Sequence, residues 1–219
     1  DLSRRGRVCQ AIECIWRLIG EACTINMYMQ TMRSDAHQPC GHETDSMECI
    51  IPAVSAIANE LVTDDLEPLR AKQTIYGCVA VQSGKIIVET SFLLELAEEN
   101  SFIKGVVGWV DLCAANIAEL LSDYRKHPKL KGFRHVLQTE APEFMLHPEF
   151  TRGIAALHAS DFTYDMLVFP EHSPAVLQLL QKFPEQAFVI DHIAKPLIRE
   201  GHMDQWEKNI RAIALHKNV

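Results

Sequence analysis

Five short apolar runs alternate with amphipathic segments from about residue 60 to the end of the 219-residue chain. Each run is rich in Val, Ile and aromatic residues and is continuously apolar, which is typical of a strand buried on both faces. The predicted strands are Ile75–Gln82, Gly105–Asp111, Leu130–Gln138, Thr163–Phe169 and Ala187–His192.

Helical periodicity marks the segments between these runs, because their apolar residues recur on one stripe. The segments predict helices over Val88–Asn100, Ala114–His127, Pro148–Ser160, Pro174–Phe183 and His202–His216. An order of strand, helix, strand, helix is that of parallel βαβ units, and hairpin-linked antiparallel strands cannot produce it.

Strand starts recur every 23–33 residues, and a further start falls at Asn218–Val219. This repeat suits either a (β/α)8 barrel or an open doubly wound sheet. An open sheet usually carries a Gly-rich phosphate loop after its first strand, and neither GxGxxG nor GxxxxGK[ST] occurs here. A complete barrel takes about 250 residues. The sequence therefore predicts an α/β TIM barrel that is incomplete, with about six of its eight strands.

The pattern changes near residue 60, which divides the chain into two parts. Residues 1–60 show poor periodicity and are predicted to be a divergent N-terminal segment, with a remnant of the first barrel strand near 34–38. Residues 61–219 are predicted to form the barrel portion.

Composition and charge restrict the kinds of molecule that the protein could bind. The chain is 47% hydrophobic and 23% charged, the balance of a globular protein, and its net charge of −8 disfavours nucleic acid and anionic membranes. No uncharged apolar run approaches the roughly 18–20 residues that span a bilayer. Seven Cys without a CxxC pair indicate reduced thiols, so we expect a cytoplasmic protein.

Polar side chains follow the predicted strands at the end where functional groups gather in such folds. Basic, acidic and amide groups that converge on one rim suit acid/base or metal-assisted hydrolysis. The residues at these strand ends are Gln82, Asp111, Arg134, His135, Gln138, Asp191, His192 and Lys195.

Alternatives stay open for the histidines among these candidates. His192 either acts at the rim or caps its strand, and Asp191 points to the other face, where it would orient another group. Arg134 and His135 either face a polar cavity or form a structural ion pair with Asp111 or Glu140. The remaining histidines, among them His172, are expected to be solvated. A structural zinc site at His37, Cys40 and His42 is disfavoured, because a second ligand pair at the usual spacing is missing.

Four segments resemble the amidohydrolase-related family of sugar lactonases and pyrone-dicarboxylate lactonases. They are GVVGWVDL (Gly105–Leu112), KLKGFRHVLQ (Lys129–Gln138), YDMLVF (Tyr164–Phe169) and FVIDHIAKP (Phe188–Pro196). The resemblance implies a (β/α)8 barrel that hydrolyses a small sugar-acid lactone, with water as nucleophile. In some members it also implies a bound divalent, zinc-like metal, and it implies no organic cofactor.

The same resemblance implies roles for individual residues. His192, His135 and Arg134 would be catalytic, and Gln82, Trp109 and Lys195 would contact the substrate. His37 and His192 would hold the metal, although Pro39 stands where the family's second His of an HxH pair would be.

An inactive product competes with the lactonase hypothesis. The family's catalytic Asp on the eighth strand would lie beyond Val219, so a truncated fragment or a binding module are the alternatives. A barrel without two strands exposes two sheet edges, which association into a homo-oligomer would cover.

Overall fold

A computed structural model describes residues 77–82, 84–201 and 203–219. In this part of the chain, five strands and five helices alternate. The strands are β1 Cys78–Val81, β2 Ile103–Gly108, β3 Leu130–Val136, β4 Thr163–Leu167 and β5 Phe188–Ile190. The helices are α1 Ile87–Glu99, α2 Ile117–Tyr124, α3 Pro148–Ala159, α4 Ser173–Lys182 and α5 Asp204–Ile213.

The sheet runs in sequence order, from β1 to β5, and every neighbouring pair is parallel. A doubly wound sheet reverses its strand order at a switch point, whereas a βα barrel adds each strand on the same side of the last. Sequential right-handed crossovers also place all helices on one face. The predicted incomplete α/β barrel is therefore confirmed.

One buried side chain shows how strongly the sheet curls. The guanidinium of Arg134, on the central strand β3, contacts both the carbonyl oxygen of Gln82, after β1, and the carboxylate of Asp191, after β5. In a flat sheet β1 and β5 would lie about 19 Å apart, four spacings of about 4.8 Å. Their carboxyl ends converge instead, as they do around a barrel.

The predicted strand start at Asn218–Val219 is only partly formed, since these residues do not make a strand of their own. The carbonyl oxygen of Asn218 nevertheless accepts a hydrogen bond from the amide of Phe188 at 2.7 Å. The amide of Tyr164 bonds Ala187 in the same way at 3.0 Å, at the start of the β4–β5 pairing. Asn218 thus occupies the equivalent position beside β5.

Adjacent residues of each strand lie on opposite faces of the sheet. Phe133, Tyr164 and Phe188 lie in register across β3, β4 and β5, and Tyr164 packs against Phe150 of α3 with ring centroids 5.8 Å apart. This row is buried under the helices. The next row, which contains Arg134 and Asp165, faces the interior of the curled sheet.

The helices occupy the predicted segments, and no helix end differs from its prediction by more than three residues. Pro148 begins α3, as its suitability for the first turn predicts. α2 spans Ile117–Tyr124 and is shorter than the predicted helix Ala114–His127. No helix in the described ranges is long and apolar enough to cross a membrane. The predicted N-terminal segment 1–60, its strand remnant at 34–38 and residues 61–76 lie outside those ranges.

Candidate active site

A buried ion pair organises the carboxyl end of the sheet. Arg134 Nη1 lies 3.2 Å from Asp191 Oδ2, and the two residues are 5% and 2% exposed. Gln82 closes the network, because its Nε2 donates to the carbonyl oxygen of Arg134 at 2.8 Å and its own carbonyl oxygen accepts from Arg134 Nη2. The structure therefore brings together Gln82 and Arg134, two of the predicted site residues.

Asp191 takes the role that strand geometry predicts. It turns to Arg134, and the ion pair of Arg134 forms with Asp191 rather than with Asp111 or Glu140. The prediction that Asp191 orients another group is confirmed.

Asp165 is a second buried carboxyl group on the same face, which the sequence analysis missed. It lies beside Arg134 in the β3–β4 register and is 4% exposed. Its Oδ1 has no hydrogen-bond partner among the described residues. Burial and the neighbouring Asp191 raise the pKa of Asp165 to about 7, although Arg134 and Thr163 act in the opposite direction. The only sequence signal was an acid in the middle of an apolar run.

Asp165→Asn should remove a pH dependence of stability. The pKa of Asp165 is about 7 in the folded chain and about 3.9 when unfolded, so folding takes up a proton between these values. The stabilising contribution of the protonated group is complete below about pH 4 and is lost as the pH rises to 7. The variant should match the wild type near pH 4 and exceed its free energy of unfolding by about 4 kcal/mol above pH 7.

Urea unfolding between pH 4 and 8 measures this difference. Asp123→Asn is the matched control, because Lys126 lowers the pKa of the exposed Asp123 and the control should lose stability, not gain it, at neutral pH. Parallel stability curves for Asp165→Asn and the wild type would contradict the assignment of a proton to Asp165.

His192 follows β5 at the exposed edge of this network. Partial desolvation lowers the pKa of its imidazole, Lys195 and Arg134 lower it further, and Asp191 opposes them. The ring is therefore held toward its neutral form, which can accept a proton.

Lys195 lies three residues further along the same turn. Its Nζ donates to Gln138 Oε1 at 3.0 Å and lies 5.6 Å from the centre of the Phe169 ring. Desolvation, then Arg134, lowers the pKa of Lys195, with Asp191 opposing. These two contacts hold the ammonium group of Lys195 at the carboxyl end of the sheet, in the same turn as His192.

His135 lies in different surroundings from Arg134, although the two are adjacent in sequence. Trp109 Nε1 donates to His135 Nδ1 at 3.4 Å, and Phe144 stacks on the imidazole with centroids 5.4 Å apart. His135 Nε2 lies 3.5 Å from Glu140 Oε1, which also pairs with Lys85 at 2.5 Å. Burial is the main cause that lowers the pKa of His135. The structure groups His135 with Trp109, and their roles stay predictions.

His172 is buried, so the prediction of a solvated surface histidine was wrong for this residue. Its Nδ1 accepts from the amide of Phe169 at 3.3 Å, and its Nε2 lies 3.2 Å from the carbonyl oxygen of Glu140. The ring therefore connects the loop after β4 with the loop after β3. Local sequence carried no signal of this contact, which depends on two loops meeting across the barrel rim.

The described residues do not fit a metal ion. Across those ranges, no three His, Cys, Asp or Glu side chains come together in a way that could hold one. Asp191, next to His192, is committed to Arg134. The other predicted ligand, His37, lies outside the described residues, so a metal at His192 stays a prediction.

Comparisons with known proteins extend the similarity over most of the chain. A family model described as amidohydrolase matches residues 36–219. An L-fucono-1,5-lactonase of Burkholderia ambifaria is 35% identical over 191 residues, 86% of this chain and 66% of that protein. An L-fucono-1,5-lactonase of Burkholderia multivorans is 36% identical over 199 residues, 87% of this chain and 67% of that protein. The chain thus spans about two thirds of the curated relatives' length.

Solved structures agree with this similarity. The crystal structure of an amidohydrolase from Burkholderia multivorans with bound zinc has a TM-score of 0.72 at 37% identity, covering 77% of this chain and 62% of that chain. A probable 2-pyrone-4,6-dicarboxylic acid hydrolase from Acinetobacter baumannii, with citric acid bound, has a TM-score of 0.58. At 14% identity, over 76% of this chain and 60% of that one, it shows the fold alone.

Proposed function

The chain belongs to the amidohydrolase family, and we propose that it hydrolyses the ester bond of a small sugar-acid lactone such as L-fucono-1,5-lactone. The observation that carries the proposal is the identity of 35% and 36%, over 86% and 87% of the chain, with two proteins named L-fucono-1,5-lactonase. The proposal is supported by the clustering of His192, Lys195 and the Arg134–Asp191 pair at the carboxyl end of the sheet, because the active sites of barrel enzymes lie at that end.

His192 is assigned the transfer of protons in this reaction. A water oxygen adds to the lactone carbonyl carbon while the neutral imidazole accepts a proton from that water. The ring C–O bond then breaks, and the imidazolium returns the proton to the departing ring oxygen. The product is the open-chain hydroxy acid, so atoms and charge balance without a further reactant.

Lys195 contributes positive charge where the carbonyl oxygen becomes negative, and Arg134 acts through its neighbours. The ammonium of Lys195 is already oriented by Gln138 and is partly desolvated, which strengthens its interaction with a developing oxyanion. Arg134 is buried and bound to Asp191 and Gln82, so it acts by holding the residues on either side of the site.

A panel of three lactones tests the proposed substrate class. The chain should accelerate hydrolysis of L-fucono-1,5-lactone at least tenfold more, in kcat/KM, than that of 2-pyrone-4,6-dicarboxylate or an unsubstituted six-membered lactone. Product acid is measured with a pH indicator against the spontaneous rate. Equal acceleration of all three would overturn the specificity, and no acceleration of any would favour the inactive fragment or the binding module.

A further inference from the structure

Four consecutive residues after β5 adopt the left-handed backbone conformation without a glycine among them. The φ angles of His192, Ile193, Ala194 and Lys195 are 49°, 50°, 57° and 43°. L-residues lose about 1–2 kcal/mol each in this conformation, and a β-branched residue such as Ile193 fits it poorly. Elsewhere in the described ranges, Asp161 is the one other non-glycine residue with a positive φ.

Several contacts hold this left-handed turn, residues 192–195, in place. The amide of Lys195 donates to the carbonyl oxygen of His192 at 2.9 Å. The side chain of Ala194 is buried at 2% exposure. From α5, Trp206 reaches back thirteen residues, and its indole Nε1 donates to the carbonyl oxygen of Ile193 at 2.7 Å.

Strained backbone of this kind persists only where surrounding contacts determine it, and it concentrates at functional sites. The left-handed turn fits that rule, because it carries His192 and Lys195 at its two ends. A relaxed right-handed or extended segment would change the separation and direction of both residues. The indole hydrogen bond reaches the middle of the turn, at a carbonyl that the Lys195–His192 hydrogen bond leaves unused.

We propose that Trp206 is a positioning residue, whose indole N–H holds the strained left-handed turn so that His192 and Lys195 stand in the geometry that hydrolysis requires. The inference rests on the proposed function for its catalytic consequence. Its structural half, that the Trp206 hydrogen bond restrains the turn, is independent of any substrate.

Trp206→Phe isolates the hydrogen bond, since phenylalanine keeps an aromatic ring and lacks the N–H. We expect kcat for L-fucono-1,5-lactone to fall about tenfold, as the loss of one hydrogen bond implies, with KM changed less than threefold. Hydrogen exchange at the Lys195 amide should quicken at least fivefold. A residue with a merely structural role would lower the melting temperature and leave both readouts unchanged.

Ala194→Gly tests the role of the strained backbone by relieving the strain at one residue. Glycine adopts a positive φ freely, so the variant should melt at a higher temperature while kcat falls, because the turn gains alternative conformations. Asp161→Gly is the matched control: Asp161 has a φ of 63°, is exposed and lies in the turn before β4. The control should also melt higher, with kcat unchanged.

The outcomes separate this inference from the proposed function. Lactone hydrolysis that is absent in the wild type, together with faster Lys195 exchange in Trp206→Phe, would overturn the proposed function and support the restraint of the turn. Unchanged exchange in Trp206→Phe would overturn the inference whatever the activity. An Ala194→Gly variant with wild-type kcat would overturn the catalytic role of the strain.

Discussion

Replacing Arg134 with methionine should lower the free energy of unfolding by about 3–5 kcal/mol, the usual result of removing one partner from a buried ion pair. The reason is the carboxyl group of Asp191, which is 2% exposed and would be left buried without its guanidinium partner. Asp165 aggravates the loss, because Arg134 also lies beside that second buried acid. The carbonyl oxygen of Gln82 loses a donor at the same time.

Chemical denaturation of three variants tests this prediction. Arg211→Met is the matched control: Arg211 pairs with Glu207 on the surface of α5 and has a side chain that is 76% exposed. Its loss should cost no more than about 0.5 kcal/mol. The double variant Arg134→Met, Asp191→Leu should recover at least half of the loss, since apolar residues of similar volume replace a buried pair well. A cost below 1 kcal/mol for Arg134→Met would show that the pair does not organise the fold.

Replacing His192 with alanine should lower kcat for L-fucono-1,5-lactone by about 10²–10⁴-fold, the contribution of a positioned acid/base group. His192 is exposed at the edge and makes no large contribution to the core, so its loss should leave the melting temperature nearly unchanged. His158→Ala, on the exposed side of α3, is the control and should retain full turnover. A loss of less than tenfold for His192→Ala would remove the residue from the mechanism.

The pH profile gives the same assignment a second check. His192 must be neutral to accept a proton, and the pKa of its imidazole is below the ordinary 6.5. The acidic limb of the profile should therefore lie below pH 6.5, with full activity at neutral pH. An acidic limb above pH 6.5 would contradict the surroundings described for His192.

The strands and helices could be predicted from the sequence because each depends on local pattern. Continuous apolar runs marked β1 to β5, and helical stripes marked the segments between them. The helix ends were predicted less well. α2 ends at Tyr124 rather than at His127, because the amides of Lys126 and His127 bond carbonyl oxygens three residues back instead of four. The sequential order of the strands followed from the missing phosphate loop and the regular repeat.

The contacts that build the site depend on distance across the fold, which a local pattern does not record. Asp165 and His172 were missed because one faces Arg134 across a strand pair and the other connects two loops. The left-handed turn contains no glycine that would have indicated a positive φ, and Trp206 contacts it from α5. The two-residue period of a strand also separates Arg134 from His135, although the two were treated as one pair and both were predicted to be catalytic.

Whether this chain is an active lactonase is decided by its rate of acid formation from L-fucono-1,5-lactone, measured at neutral pH and after subtraction of the spontaneous rate. The proposed function predicts saturable, protein-dependent hydrolysis that His192→Ala lowers by about a hundredfold or more and that His158→Ala retains. A rate indistinguishable from spontaneous hydrolysis, for a chain that unfolds cooperatively in the same buffer, would contradict it.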